Sequence, residues 1–266
     1  MYYSVQTLID IIEGASKIVL EVYNSPDFDV QLKSDNSPLT RADLLSSNYI
    51  CENLKKYYPL IPIICEETKN ETYEKRQSYE YYWLIDPIDG TKEFIKRNGE
   101  FTVNIALCCK NQPIAGFVSI PTEKKIYYGI KNRGSFLFHN GETKRLHANK
   151  KNYNDKNQHF TIIASRSHSN KETEDFINEY PNHTLTSVGS SIKLLWIAEG
   201  KADLYPRIAP TMEWDTAASH IIVEEAGGTV LQYNTTIPLS YNKPNLLNPY
   251  FVCKGGIVLP PFDPLS

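Results

Sequence analysis

Apolar residues at Val5, Leu8, Ile9, Ile12, Ala15, Ile18, Val19 and Val22 recur at the spacing of one helix face, so the chain is predicted to open with an amphipathic helix of several turns. After a polar loop, Pro38-Leu-Thr-Arg-Ala-Asp43 offers Thr40 as an N-cap with Asp43 three residues on, and Leu44, Leu45, Ile50 and Leu54 continue a second helical face. Residues 60–65 and 81–85 are short apolar runs of the kind buried strands make. The polar, charged stretch between them, 68–80, predicts a mobile loop, a candidate lid beside Glu66. Apolar runs at 102–109, 114–120, 125–130 and 135–138 are separated by Asn-Gln-Pro, Pro-Thr-Glu and Asn-Arg-Gly turn signals, which predicts an antiparallel meander with the two helices layered on its face.

Residues 141–158 are rich in Lys, Asn and Asp, and they place a boundary between two intimately packed subdomains, 1–150 and 151–266. Beyond it the pattern predicts strands at 161–164, 202–205, 229–232 and 250–253, and helices at 170–180, 192–199 and 215–226, the last ending at Gly227-Gly228. The fold class that follows is α/β (α+β), layered α/β/α/β.

Composition narrows the function more than the fold. A net charge of −3 leaves no basic footprint for a nucleic-acid polymer, so an anionic small substrate must be attracted by locally placed cations. The five cysteines are odd in number and form no C-x-x-C pair, which argues against a disulfide framework or a zinc site and predicts reduced thiols in a cytoplasmic protein. The beginning, MYYSVQTLIDIIEG, lacks the basic region and apolar core of a signal peptide, and no apolar run is long enough to span a bilayer.

The stretch Trp83-Leu-Ile-Asp-Pro-Ile-Asp-Gly-Thr-Lys-Glu-Phe94 carries the candidate chemistry. A buried strand rarely closes on charges unless they are used where it emerges. Pro87 and Gly90 specify a tight turn, so Asp86 and Asp89 are expected to converge on one small volume. Two close carboxylates repel unless a cation lies between them or one takes up a proton, and hard oxygen ligands suit Mg²⁺. Alone, the motif reads first as an Asx turn with surface carboxylates. Glu66-Glu67 after one apolar run and Trp214-Asp215 opening a helix change that balance. Taken singly, Asp215 and Asp43 are helix-capping residues, and Lys193 and Arg207 are solvated cations; Gly189-Ser190-Ser191 before a helix favours an anion site near the last two.

The pair Glu66-Glu67, the motif DPIDGT at 86–91 and WDTAA at 214–218 together resemble the inositol monophosphatase superfamily of Mg²⁺-dependent phosphatases. The stretches KSDNSPLTRAD at 33–43, KEFIKRNGEFTVNIAL at 92–107, SRSH at 165–168, SVGSSIK at 187–193 and AEGKADLYPR at 198–207 extend the likeness over nearly the whole chain, toward the 3′(2′),5′-bisphosphate nucleotidases within it. The resemblance implies the same layered fold, with two or three Mg²⁺ ions in a cleft between the halves. It implies one ion on Glu66, Asp86 and the Ile88 carbonyl, a second on Asp86, Asp89 and Asp215, and a further one near Glu66, with Glu67 contributing charge or orientation. Thr91, backed by Asp43 or Glu66-Glu67, would orient the attacking water. Substrate contacts would come from Ile88, Asp89, Gly90, Thr91, His168, Ser190, Lys193, Arg207 and Asp215. The implied reaction releases phosphate from 3′-phosphoadenosine 5′-phosphate to give AMP, extending to 3′-phosphoadenylyl sulfate, in sulfur assimilation. The resemblance also implies lithium sensitivity, a cytoplasmic protein peripheral on the inner membrane, and a monomer or homodimer. Two alternatives stand beside it: an inositol or sugar monophosphatase on the same scaffold, and a catalytically inert nucleotide sensor. An intact set of Glu66, Asp86, Asp89, Thr91 and Asp215 argues against the sensor.

Overall fold

Helix α1 (Val5–Tyr23) buries Leu8, Ile9, Ile12, Ala15, Val19 and Val22 of the predicted stripe and Ile11 beside them, while Val5 and Ile18 are half-buried, and Ser4 caps it by accepting from Thr7 N at 3.3 Å. A hairpin of β1 (Gln31–Leu32) and β2 (Pro38–Leu39) leads into α2 (Arg41–Tyr57), and the two helices share one apolar core with Trp83, Ile85, Phe101, Val103 and Phe117. The computed structural model describes residues 3–33, 38–155, 157–164 and 170–257.

The sheet beneath these helices has seven strands in chain order: β3 (Ile63–Cys65), β4 (Tyr81–Asp89), β5 (Thr102–Cys109), β6 (Gln112–Ile120), β7 (Lys125–Ile130), β8 (Gly134–His139) and β9 (Glu142–Arg145). β3 and β4 are parallel, and each later pair is antiparallel, so the predicted meander is present. Residues 68–80 depart from the loop their polarity predicts. They contain a helical turn, α3 (Tyr73–Arg76), whose Arg76 is buried and donates to Asn242 Oδ1 and to the carbonyls of Lys243 and Pro244 at 3.2 and 3.3 Å. Charge alone suggested solvent, but a guanidinium with several donors satisfied can be buried as an anchor.

The second half adds β10 (Lys150–Lys151), β11 (Phe160–Ile163), α5 (Lys171–Asn178), β12 (His183–Thr186), α6 (Ile192–Ala198), β13 (Leu204–Arg207), α7 (Glu213–Glu225), β14 (Thr229–Gln232), β15 (Phe251–Lys254) and β16 (Gly256–Ile257). Five of these strands form a mixed sheet in the order β12-β11-β13-β15-β14, while β10 pairs with β16 in parallel. Helices α6 and α7 lie between the two sheets, in a core that joins Ile64, Tyr82 and Val118 of the first half to Leu195, Val223 and Phe251 of the second. The predicted α/β/α/β layers are therefore observed, and α5 adds a layer on the outer face of the smaller sheet through Phe176 and Ile177. Helix α7 seats directly on β6 and β7 because glycines stand there: a β-carbon at Gly116 would fall 2.1 Å from Ala218 O, and one at Gly129 2.7 Å from Ile222 Cα. That seating carries Asp215, in the first turn of α7, to the end of β4.

Candidate active site

Asp86 and Asp89 are three residues apart, a spacing that puts strand side chains on opposite faces. The register corrects this: Asp86 pairs with Asn104 and Asp89 with Thr102, so three steps on β4 match two on β5. The extra residue falls at donor-less Pro87, where a ladder bond is lost anyway, and the bulge turns both carboxylates to one side. Gly90 follows with φ of +94°, a conformation that favours glycine, and a β-carbon there would also lie 3.1 Å from Glu100 O. It starts a short helix, α4 (Thr91–Ile95).

Four acidic side chains lie within electrostatic reach of one another around this point. Asp86 is fully buried and accepts from Ile88 N at 3.1 Å; burial, then the charges of Glu66, Asp89 and Asp215, hold its carboxyl well above the usual pKa. Asp215 accepts from Met212 N at 2.8 Å, and burial, then Asp89 and Glu66, push it up likewise. Its helix begins two residues earlier than its pattern predicts, so Asp215 is its third residue, reaching back to cap while facing the other carboxylates. Asp89 accepts through Oδ2 from Ser190 Oγ at 2.7 Å and from Ser191 N. Glu66 continues the β3–β4 pairing through Glu66 N to Ile85 O at 3.2 Å, and burial raises its pKa against the pull of Lys33. The Lys33 ammonium donates to Glu66 Oε1 at 2.7 Å and to Glu67 Oε1; burial works against that charge, yet the two glutamates hold its pKa up. Among the described residues, no three His, Cys, Asp or Glu side chains are drawn close enough together to enclose an ion, each carboxylate here being turned onto a donor of its own.

Asp43 makes contacts in both directions its position offered. Its Oδ2 accepts from Thr40 N at 2.7 Å, capping α2, and its Oδ1 accepts from Thr91 Oγ1 at 3.2 Å. Burial pushes its pKa up to about 6, with the Thr40 hydrogen bonds opposing. Thr91 Oγ1 also lies 3.4 Å from the Ile88 carbonyl.

A cleft of about 500 Å³ opens from Asp89, Gly90 and Asp215 toward Ser190, Lys193 and Arg207. Lys193 is buried over the Tyr205 ring and donates to Ser190 O at 2.8 Å; burial lowers its pKa to about 8, Asp89 opposing and Arg207 adding to the drop. Arg207 donates from Nη2 to Pro210 O at 2.9 Å, while its Nε is buried with no partner among the described residues. His168 lies outside the described residues. Sequence reasoning did not single out Lys33, Thr102 or Asn104 as site residues. Each lies inside a stretch that carries the resemblance, but its partners stand dozens of residues away and leave no mark on local periodicity.

The sequence profile of the inositol monophosphatase family matches residues 3–258. A 3′(2′),5′-bisphosphate nucleotidase, CysQ, of Escherichia coli is 39% identical over 240 residues, covering 90% of this chain and 94% of the relative. The Haemophilus influenzae protein of the same name is 34% identical, with 89% and 87% covered. Among solved structures, CysQ from Bacteroides thetaiotaomicron, described as a bacterial member of the inositol monophosphatase family, superposes with a TM-score of 0.82 at 39% identity, covering 96% of this chain and 98% of that one.

Proposed function

The chain belongs to the inositol monophosphatase family, and from that premise we propose that it is a 3′(2′),5′-bisphosphate nucleotidase, hydrolysing the 3′- or 2′-phosphate of an adenosine bisphosphate to leave AMP. The observation that carries this reading is the single cleft joining Asp89 and Asp215 at one end to Lys193 and Arg207 at the other. A substrate with two phosphates needs two anion-handling ends. The relatives named as bisphosphate nucleotidases support the same choice.

Glu66, Asp86, Asp89, Asp215 and the Ile88 carbonyl form an all-oxygen donor set that suits Mg²⁺. Burial, and after it their mutual charge, raises the pKa values of Asp86 and Asp215, and the Lys33 ammonium is drawn onto Glu66 and Glu67. In this reading those residues hold two or three ions, and Glu67 contributes charge beside them. When bound, Mg²⁺ supplies the positive charge that offsets the cluster and polarises the phosphoryl group. The Thr91 hydroxyl donates to Asp43 Oδ1, which leaves its oxygen lone pairs to accept from a water placed in line with phosphorus. Asp43, with a pKa of about 6, is ionised at neutral pH and keeps that hydroxyl turned. At the far end Arg207, whose Nε has no partner among the described residues, would offer N–H donors to the second phosphate, with Lys193 alongside.

Phosphate release from 3′-phosphoadenosine 5′-phosphate, inositol 1-phosphate and fructose 1,6-bisphosphate, with and without Mg²⁺, tests the reading. The adenosine bisphosphate is expected to be hydrolysed fastest, and only with Mg²⁺. Arg207→Ala removes a charge-assisted hydrogen bond and is expected to lower kcat/KM on that substrate by roughly tenfold to a hundredfold while leaving inositol 1-phosphate unaffected. Faster turnover of inositol 1-phosphate by the wild type would make the chain a monophosphatase instead.

A further inference from the structure

Ser190 has φ of +57°, in the left-handed region that costs a residue with a β-carbon and that glycine would enter freely. A serine kept there has work for its hydroxyl, and that hydroxyl points to Asp89 rather than to open cleft. Ser190 Oγ donates to Asp89 Oδ2 at 2.7 Å and lies 2.7 Å from Thr102 Oγ1. Thr102, on β5 and fully buried, also lies 2.8 Å from Ser191 Oγ and accepts from Asn104 Nδ2 at 3.1 Å. Ser191 Oγ in turn donates to Asn104 Oδ1 at 2.9 Å.

Hydrogen counting sets the direction of this chain. Each hydroxyl has a single hydrogen. The hydrogen of Ser190 goes to the Asp89 carboxylate and that of Ser191 to Asn104 Oδ1, so toward Thr102 both hydroxyls can only accept, and the single hydrogen of Thr102 serves the two of them. Thr102 is then left as an acceptor for the Asn104 amide. The result is a network that runs from Asn104 to Thr102 and on to Ser190 and Ser191, the two residues that donate to Asp89. It ends on Oδ2, where Ser191 N also donates, so Oδ1 is the oxygen left to the cleft that Asp89 lines.

We infer that Thr102 is a positioning residue: through Ser190 it holds the Asp89 carboxylate in one rotamer and so readies it for the cation and the phosphate. This rests on the nucleotidase reading above and its Mg²⁺ requirement. Outer partners that orient a ligating carboxylate typically carry about tenfold to a hundredfold in metal affinity or activity.

Two substitutions at position 102 separate hydroxyl from shape. Thr102→Val keeps the shape and loses the hydroxyl, whereas Thr102→Ser keeps the hydroxyl and loses a methyl. Ser190→Gly removes the intermediate hydroxyl while relieving the left-handed backbone, so it is expected to melt no lower than the wild type. Calorimetric titration of MgCl₂ into the wild type and the three variants, with kcat and KM measured on 3′-phosphoadenosine 5′-phosphate, reads the effect directly. Thr102→Val and Ser190→Gly are expected to bind Mg²⁺ about tenfold to a hundredfold more weakly, with the loss carried in kcat at subsaturating Mg²⁺, and Thr102→Ser to recover most of the affinity. Wild-type affinity in Ser190→Gly, or a Thr102→Ser protein as weak as Thr102→Val, overturns the inference; if Thr102→Val does not fold, Ser190→Gly decides alone. A wild type that binds no Mg²⁺ fails the function itself and takes this inference with it, a result distinct from equal binding by all four proteins.

Discussion

Burial and the charges of Glu66, Asp89 and Asp215 hold the Asp86 carboxyl well above its usual pKa, so in the metal-free chain its ionisation works against folding. Asp215 and Asp43 share that direction, Asp43 at about 6. An acid whose folded pKa is raised binds its proton more tightly when folded. Its contribution is complete below the ordinary value of 3.8 and is lost as pH rises through the folded one. With a chelator present, thermal melting is therefore expected at higher temperature near pH 5 than near pH 8, and saturating Mg²⁺ is expected to flatten the slope. Asp86→Asn keeps the acceptor for Ile88 N and removes a like charge, so the metal-free variant is expected to melt a few degrees higher while phosphate release falls by more than about a hundredfold. A variant that melts lower, or keeps a substantial part of its activity, contradicts the charge argument. These aspartates were legible in the sequence because charges at the end of an apolar run break a pattern. Lys33 and Thr102 were not, since a lysine in a polar loop and a threonine in a strand fit their surroundings and gain meaning only from distant partners.

Elements were legible in proportion to how far local period determines them. The stripe of α1, the capping box of α2 and the meander of β5 to β8 follow from spacing and turn residues, and they stand where the pattern puts them. β12 escaped notice because His-Thr-Leu-Thr at a sheet edge has little to bury, and its parallel partner β11 is reached only across α5. The close approach of α7 was hidden as well, for Gly116 and Gly129 in strands read as weak points rather than as a seat. Gly116→Ala makes the point measurable. Its β-carbon would meet Ala218 O at 2.1 Å and Ile221 Cγ2 at 2.6 Å, and a helix backbone cannot rotate away as a side chain can. The helix must shift, at about 1–3 kcal/mol of overpacking, and Asp215 shifts with it. Urea unfolding is expected to register that loss, and kcat/KM to fall in the material that remains folded. Unchanged stability and activity would mean that α7 does not bear on β6 as closely as described.

At the scale of the molecule, two sheets divide the chain near residue 150, yet the layer between them belongs to both. Ile64, Tyr82, Leu84 and Val118 of the first half and Leu195, Ile222, Val223 and Phe251 of the second fill one core, and Arg76 crosses to hold residues 242–244. Separating the halves would expose a sheet face on each side and leave Asp86 and Asp89 without Asp215. At roughly 25 cal/mol per Å² of apolar surface, a few hundred Å² of exposed face costs as much as a typical domain's whole stability. Neither half is therefore expected to fold alone. The tryptophans allow a direct check, because Trp83 lies in the first half and Trp196 and Trp214 lie in the second. In urea, the far-ultraviolet circular dichroism of the chain and the fluorescence of variants retaining only Trp83 or only Trp196 are expected to give coincident midpoints. A fragment of residues 1–150 is expected to show no cooperative transition and to bind the dye ANS strongly. Separate midpoints for the two tryptophans, or a fragment that melts cooperatively, would mean that the shared layer is an interface between two self-sufficient domains, and that the cleft could open by moving them apart.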